Sequence, residues 1–186
     1  MKIMIVRHAE KPEKTPVKID GVTPAGTKDK EDLIVLGWQR AGALARFFSP
    51  LAPNKIAKKL ETPVTIFAAA ANSESMSVRP QHTVTPLSQL TGIAIDTSFG
   101  KNDEPALAAA AKAAAAKGAV LIAWQHQDIP TIVGAIAKPG LCPAKWPGDR
   151  FDLVWVLDSK DGGTTWKFSQ VPQMLLQGDS SDPIKK

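Results

Sequence analysis

The sequence contains very little cysteine and no tyrosine. Cys142 is the only cysteine among 186 residues, so no disulfide can form within the chain. With 44% hydrophobic residues, a chain of this length can bury a sizeable core without disulfide or metal staples. We therefore expect a cytoplasmic protein, although a cysteine-poor periplasmic protein would have the same composition.

Long apolar runs are also absent. The run at residues 2–6 is too short for the hydrophobic part of a signal peptide, although a signal removed before Met1 would leave the same sequence. The most apolar region, residues 106–120, is rich in alanine and is interrupted by Lys112 and Lys117. Because a membrane helix needs about 20 consecutive apolar residues, we expect no membrane partner.

The chain has no dense basic patch, although its net charge is +5. Its lysines are scattered, and Lys11, Lys14 and Lys18 are spread along one loop. Without an arginine-rich stripe interleaved with aromatic residues, nucleic acid is not expected as a partner. The glycine-rich loops of nucleotide-binding proteins are missing, and the histidines lack metal-ligand spacing, so we expect no metal. The charge favours an anionic ligand instead.

Segments typical of strands alternate with segments typical of helices, which indicates an α/β fold. Gly37, Ala41 and Ala45 recur every four residues and predict a small-residue helix face for close packing. We expect one domain over residues 1–174 and a tail over 175–186. The patterns predict strands over 2–6, 63–68, 93–95 and 119–124, helices over 33–48, 79–90, 102–118 and 128–137, and a C-terminal antiparallel hairpin formed by 151–157 and 165–168.

Arginines and histidines recur where predicted strands end and predicted helices begin. Arg7 and His8 end the first strand, and His126 follows the fourth. Arg79 starts a helix. The carboxyl ends of parallel strands meet at one edge of a sheet, where ligands bind. The planar guanidinium of arginine binds two phosphate oxygens at once, and a neutral imidazole can attack phosphorus. One such residue alone is usually structural, but the combination predicts phosphate chemistry.

Four segments resemble motifs of the histidine phosphatase superfamily, whose fold is that of phosphoglycerate mutase. They occur in that family's order and span residues 1–137. The resemblance implies a three-layer α/β/α sandwich with a mostly parallel sheet, acting without a cofactor. The segments are Arg7-His8-Ala9-Glu10, Leu36-Gly37-Trp38-Gln39-Arg40-Ala41, Ser77-Val78-Arg79-Pro80-Gln81-His82-Thr83 and Val120-Leu121-Ile122-Ala123-Trp124-Gln125-His126.

The resemblance also implies a role for each matching residue. His8 is the expected nucleophile, which becomes phosphohistidine during the reaction. Arg7, Arg79 and His126 are expected to bind the transferring phosphoryl group. Arg40 matches the helix motif and is a further candidate phosphate ligand, unless it orients the pocket or pairs with an acidic neighbour.

The proton donor for the leaving group is the least determined residue. Members of the family commonly place an acidic residue between the second arginine and the second histidine, which here gives Asp96, Asp103 and Glu104. Asp103 and Glu104 are the predicted catalytic acids, although carboxylates also suit the start of a helix. Asp128, two residues after His126, is an alternative that can cap a helix as well.

The resemblance predicts a phosphohydrolase that removes phosphate from phosphomonoesters. The alternatives are a phosphoglycerate-type mutase and a phospho-ligand or phosphoprotein binding module with weak or no turnover. The interval between Arg79 and His126 is short, which favours the phosphatase over mutases that carry an insertion there. The substrate is expected to be a phosphorylated small molecule or a phosphoprotein, selected by loops over residues 11–32, 69–77 and 138–150. The oligomeric state stays open.

Overall fold

The computed structural model describes residues 1–13 and 18–186. Lys14, in the predicted loop over residues 11–32, therefore lies outside the described residues. A short 3-10 turn spans Pro53–Lys55. No helix in the described ranges combines the length and the apolar character needed to cross a bilayer. The elements are β1 (Lys2–Arg7), α1 (Val35–Phe48), β2 (Thr65–Ala68), α2 (Arg79–Thr91), β3 (Ile95–Asp96), α3 (Glu104–Ala115), β4 (Val120–Trp124), α4 (Ile129–Ile136), β5 (Leu153–Asp158) and β6 (Lys167–Pro172).

The strands of the described residues form one sheet in the order β3-β2-β4-β1-β5-β6. The pairs β1–β4, β2–β4 and β2–β3 are parallel, whereas β5 runs antiparallel to both β1 and β6. The central strands are buried on both faces, which explains their continuous apolar sequences. The predicted α/β fold, with a mostly parallel sheet and a C-terminal antiparallel hairpin, is confirmed.

Helices cover both faces of the sheet. The pair α1 and α2 packs on one face, and the pair α3 and α4 packs on the other. Side chains of β1 alternate between these layers, because successive residues of a strand point to opposite faces. Met4 and Val6 join the core under α1 and α2, while Ile3 and Ile5 join the core under α3 and α4. The predicted three-layer sandwich is therefore confirmed.

The predicted small-residue face of α1 lies against the chain that follows β1. Ala41 is fully buried, and a β-carbon built on Gly37 would lie 2.4 Å from the carbonyl oxygen of Glu10. The same oxygen accepts a hydrogen bond from the backbone N–H of Ile34 at 3.1 Å. Because only glycine permits this approach, α1 fixes the backbone directly after His8.

Residues 175–186 form neither helix nor strand, but they pack against the sheet. Ile184 is buried in the core on the α3 and α4 face. Its backbone N–H donates to Gln170 Oε1 at 2.9 Å, and Gln170 Nε2 donates to its carbonyl oxygen at 2.8 Å. The segment predicted as a tail is thus attached to β6 rather than detached from the domain.

Candidate active site

The carboxyl ends of β1 and β4 bring the two predicted histidines to one cavity. Arg7 lies in register with Trp124, and the backbone N–H of His8 donates to the Trp124 carbonyl oxygen at 2.9 Å. His126 follows β4 by two residues. The cavity has a volume of about 300 Å³. Its lining includes His8, Arg79, His126, Lys11, Lys101, Glu74 and Asp128.

A larger groove of about 890 Å³ lies at the opposite end of the sheet, beside Lys2 and Asp158. Among the described residues, its lining holds lysines and carboxylates but neither histidine nor arginine. It therefore offers no counterpart of the histidine pair. The smaller cavity is the candidate active site.

His8 is held as a neutral imidazole with one fixed tautomer. It is 4% exposed, and its Nδ1 lies 2.8 Å from the carbonyl oxygen of Ala9. Because a carbonyl oxygen can only accept, Nδ1 carries the proton and Nε2 keeps its lone pair. Burial, and next the charge of Arg7, hold the pKa of His8 well below its ordinary value. At neutral pH, Nε2 is therefore available as a nucleophile.

Arg7 is fixed on one side and unpartnered on the other. Its Nη1 donates to the carbonyl oxygens of Gly148 at 2.7 Å and Arg150 at 2.9 Å. The guanidinium carbon lies 3.7 Å from the centre of the Phe151 ring. Its Nε and Nη2 are buried and have no partner among the described residues. Burial lowers the pKa of Arg7 to about 10, so the group stays charged at neutral pH, and an anion would satisfy it.

Arg79 opens α2 and borders the cavity. Backbone oxygens orient its guanidinium, because Nη2 donates to the carbonyl of Lys30 at 2.6 Å and Nε to that of Asp32 at 3.2 Å. The Glu31 carboxylate lies 3.4 Å from Nη2. Burial lowers the pKa of Arg79, but an arginine remains charged at neutral pH. Arg79 therefore supplies a positive charge to the cavity, in addition to those of Lys11 and Lys101.

Three further polar groups at the cavity lack partners. His126 Nδ1, Ser77 Oγ and Gln125 Nε2 are buried and, within the described ranges, make no hydrogen bond. Burial, followed by the charges of Arg7 and Lys11, lowers the pKa of His126 to about 4. Since buried polar groups are normally hydrogen-bonded, this set suits a polar anion with several acceptor oxygens.

Arg40 is buried beside carboxylates and, in the described part of the chain, does not line the cavity. Its Nε donates to Glu10 Oε1 at 2.9 Å, Nη1 to Gln173 Oε1 at 2.9 Å, and Nη2 to Asp179 Oδ1 at 2.7 Å. Burial alone would lower the pKa of Arg40, but the hydrogen bonds to Asp179 and Glu10 outweigh it and raise the pKa. These contacts favour the alternative role of Arg40, pairing with acidic neighbours, over the predicted phosphate contact.

The two predicted catalytic acids do not reach the cavity. Asp103 Oδ2 accepts a hydrogen bond from the backbone N–H of Gly100 at 2.9 Å. Glu104 is buried, and its Oε1 accepts from Trp124 Nε1 at 3.4 Å. Neither side chain, nor Asp96 on β3, belongs to the described lining. The carboxylates of Asp103 and Glu104 bond within the loop and the core, which favours structural roles for them, and their catalytic role stays a prediction.

Asp128, the alternative acid, does border the cavity. It occupies the N-cap position of α4, yet its side chain makes no capping hydrogen bond within the described residues. Burial, followed by the charge of Glu104, raises the pKa of Asp128. A raised pKa favours the protonated carboxyl that a general acid needs.

Three lining residues, Glu74, Ser77 and Lys101, are not among the predicted site residues, although the loop over 69–77 is one of those expected to select the substrate. Glu74 and Ser77 lie in the loop after β2, and Lys101 lies shortly before α3. The rule that ligands bind at strand ends indicates the loop after β2, since β2 runs parallel to β4. Lys101 has no such signal, because β3 is only two residues long.

Several solved structures share this fold. Protein histidine phosphatase SixA in complex with tungstate matches with a TM-score of 0.54 and 15% identity, over 93% of this chain and 97% of that one. A mycobacterial glucosyl-3-phosphoglycerate phosphatase in complex with VO3 matches with a TM-score of 0.53 and 12% identity, over 91% and 96%. The alpha-ribazole phosphatase from Shigella flexneri matches with a TM-score of 0.51 and 11% identity, over 97% and 100%.

These identities are low, so the likeness shows the fold. It is the fold that the four sequence motifs predict. No family model matches the chain, and no curated protein matches it. The chemistry has to be argued from the cavity itself.

Proposed function

We propose that this chain, which has the histidine phosphatase fold, is a phosphatase that hydrolyses phosphomonoesters through a phosphohistidine at His8. The observation that carries the proposal is the arrangement around Arg7. Two neutral histidines, His8 and His126, stand at neighbouring strand ends beside a buried guanidinium whose Nε and Nη2 have no partner in the described chain. A phosphoryl group supplies the oxygens that such a guanidinium binds in bidentate fashion.

In the first step, His8 Nε2 attacks phosphorus while the bond from phosphorus to the leaving oxygen breaks. Asp128 gives its proton to that oxygen, so the product leaves as a neutral alcohol. Arg7, Arg79 and His126 bind the remaining phosphoryl oxygens, over which charge spreads in the transition state. The products of this step are phosphohistidine, an alcohol and the Asp128 carboxylate.

In the second step, water attacks the phosphorus of phosphohistidine and gives a proton to the Asp128 carboxylate. The phosphorus–nitrogen bond breaks, and its electron pair returns to His8 Nε2. Orthophosphate leaves, and the protein regains its starting protonation state. The chain's own residues complete both steps.

The carbonyl oxygen of Ala9 has a specific part in this chemistry. Positive charge develops on the imidazole of His8 as the bond to phosphorus forms. The hydrogen bond from Nδ1 to Ala9 at 2.8 Å stabilises that charge and keeps Nε2 aimed away from the backbone. The charge of Arg7 opposes the developing charge on His8, but a bound phosphoryl dianion offsets it.

The test compares the wild type with His8→Ala on an aryl phosphate. The variant should lose at least about a thousandfold in kcat, because the nucleophile is missing. Wild-type protein quenched during turnover should carry a phosphate linkage that is stable in alkali and hydrolysed in acid, and His8→Ala should carry none. His82→Ala is the matched control, since the His82 ring bonds to Asp32 and stacks on Trp38 instead.

Other outcomes would support the alternative functions. Phosphoryl transfer between phosphoglycerates, with slower release of orthophosphate, would indicate a mutase. Tight binding of vanadate without turnover of the aryl phosphate would indicate a binding module. Full activity of His8→Ala would remove the proposed nucleophile.

The cytoplasmic location stays a prediction from composition.

A further inference from the structure

The C-terminal segment (residues 173–184, all of them described) is attached to the active site at two points. At the first point, Arg40 lies between Asp179 and Glu10. Arg40 Nη2 is 2.7 Å from Asp179 Oδ1 and 2.8 Å from Glu10 Oε1, and the side chains of Arg40 and Asp179 are each only 4% exposed. Asp179 Oδ2 also accepts from the backbone N–H groups of Leu175 and Leu176 at 2.7 and 3.1 Å. The Asp179 carboxylate thus fixes both the turn that contains Leu175 and Leu176 and the guanidinium of Arg40.

This attachment reaches the nucleophile through a short stretch of backbone. Glu10 is two residues after His8, and its carbonyl oxygen is packed against Gly37 of α1. Breaking a buried ion pair by removing one partner is strongly destabilising, because a charge is left uncompensated. The position of Glu10 is therefore strongly determined, and so is the turn that holds His8.

The second attachment reaches Arg7. Arg150 Nε donates to Asp152 Oδ1 at 2.7 Å, and its Nη2 donates to the carbonyl oxygen of Asp182 at 2.8 Å. Asp152 Oδ2 accepts from the backbone N–H of Ser180 at 2.7 Å. The carbonyl oxygen of Arg150 accepts from Arg7 Nη1 at 2.9 Å. The segment therefore holds the residue that orients the guanidinium of Arg7.

We propose that the C-terminal segment is a positioning element of the active site. Asp179, acting through Arg40, positions the turn that carries His8, and the attachment at Arg150 positions Arg7. Neither Asp179 nor Arg150 acts on the substrate directly. The inference rests on the proposed phosphatase function. It assigns different kinetic effects to the two attachments, because one serves the nucleophile and the other serves phosphate binding.

The test uses two substitutions in the full chain, one shortened chain, and an aryl phosphate as substrate. Asp179→Asn weakens the first attachment. A chain that ends at residue 181 weakens the second, because it loses the Asp182 carbonyl that accepts from Arg150 while Ser180 still donates to Asp152. Asp158→Asn is the matched control, since Asp158 pairs with Lys2 at 2.5 Å at the opposite end of β1. Steady-state kinetics give kcat and KM, and titration with vanadate gives a Kd. Far-UV circular dichroism and thermal unfolding verify that each variant is folded at the assay temperature.

Asp179→Asn should lower kcat about tenfold while KM and the vanadate Kd change less than about twofold, since a misplaced nucleophile slows chemistry without removing phosphate ligands. The shortened chain should raise KM and the vanadate Kd about fivefold. Arg7 loses part of its support in this variant, and Arg7 binds the phosphoryl group in the ground state as well as in the transition state. Asp158→Asn should change none of the three quantities. A general loss of stability would instead affect all variants in proportion to their melting temperatures.

If Asp179→Asn does not fold, Gln173→Met replaces it. Gln173 gives Arg40 a neutral acceptor at 2.9 Å, and its loss leaves both carboxylates in place, so kcat should still fall by about twofold. A folded variant of the first attachment with wild-type kcat would overturn the proposal, as would a shortened chain with an unchanged vanadate Kd. An inactive wild type would instead refute the phosphatase function, which keeps the two failures distinct.

Discussion

Thr83 and Ala9 are joined by a hydrogen bond that connects the turn after His8 to α2. The backbone N–H of Ala9 donates to Thr83 Oγ1 at 2.8 Å, and Thr83 Oγ1 donates to the carbonyl oxygen of Arg79 at 2.7 Å. Thr83 is completely buried. A single hydroxyl therefore links the residue after His8 to Arg79, the first residue of α2 and the arginine that lines the cavity.

Thr83→Val should weaken both stability and activity. The variant keeps the shape of the side chain but leaves the buried N–H of Ala9 without an acceptor, which costs about 1–3 kcal/mol. We expect a lower free energy of unfolding by this amount and a lower kcat, because His8 and Arg79 lose their common support. Urea unfolding and steady-state kinetics on an aryl phosphate measure the two effects.

Two variants control for the chemistry of the change. Thr83→Ser keeps the hydroxyl and should retain most of kcat. Thr85→Val removes a hydroxyl that only bonds back to the carbonyl of Gln81 on the same helix, at 2.9 Å, and should leave kcat unchanged. Equal kinetic effects of Thr83→Val and Thr85→Val would show that the link to Ala9 has no role in catalysis.

The positions of both histidines follow from sequence because they depend on strand ends. Apolar runs identify β1 and β4, and parallel pairing then places His8 and His126 at one edge of the sheet. The small-residue face of α1 is predictable for a similar reason, since periodicity alone shows which side of a helix packs closely. These features depend on local patterns and on general rules of topology.

The roles of Arg40 and of the acids depend on contacts that no local pattern encodes. Arg40 pairs with Asp179, 139 residues later, in a segment without periodicity. Asp103 and Glu104 occupy the expected interval, but the turn before α3 directs their side chains to Gly100 and the core. An interval in sequence does not specify the path of such a turn, so the sequence alone does not distinguish Asp128 from Asp103 and Glu104.

The pH dependence of kcat/KM should show an acid limb far below the ordinary range for histidine. In the proposed mechanism, His8 and His126 act in their neutral forms. The pKa of His126 is about 4, and the pKa of His8 is held well below its usual value by burial and Arg7. We expect no loss of kcat/KM from pH 7 down to about pH 5, since a falling pH also favours the protonated form of Asp128, and a decline toward pH 4, whereas an unperturbed histidine titrates near pH 6.5. Rates in constant-ionic-strength buffers measure this, and a limb centred near pH 6.5 would contradict it.

The same two histidines should make the protein less stable in acid. Their pKa values are lower in the folded protein than in the unfolded chain, so below about pH 6.5 the unfolded state binds more protons. The free energy of unfolding should therefore decline as the pH falls from about 6.5 toward the folded-state values. Urea unfolding at pH 7, 6 and 5 measures the slope. In His8→Asn the slope should be smaller, and an identical slope would show that His8 does not contribute.

Asp128→Asn should reveal the proton donor through its dependence on the leaving group. An alkyl phosphate needs a proton on its leaving oxygen, so its kcat should fall by at least about a hundredfold. An aryl phosphate with a good leaving group should lose less than about tenfold, because its leaving oxygen is stable without the proton. Glu74→Gln and Glu104→Gln are the comparison variants. A selective loss on the alkyl phosphate in Glu74→Gln, and not in Asp128→Asn, would assign the proton to Glu74.

Gly37→Ala should destabilise the protein, although alanine is the better helix former. The added β-carbon would lie 2.4 Å from the carbonyl oxygen of Glu10, so α1 or the turn after His8 has to move. Overpacking of this kind costs about 1–3 kcal/mol, and kcat should fall as the turn shifts. Gly42→Ala is the matched control in the same helix, where the new methyl group meets nothing within 4 Å and should add up to about 1 kcal/mol of stability with unchanged kcat. Urea unfolding and aryl phosphate kinetics measure the free energy of unfolding and kcat of both variants. Equal values for Gly37→Ala and Gly42→Ala would show that α1 is not in close contact with Glu10.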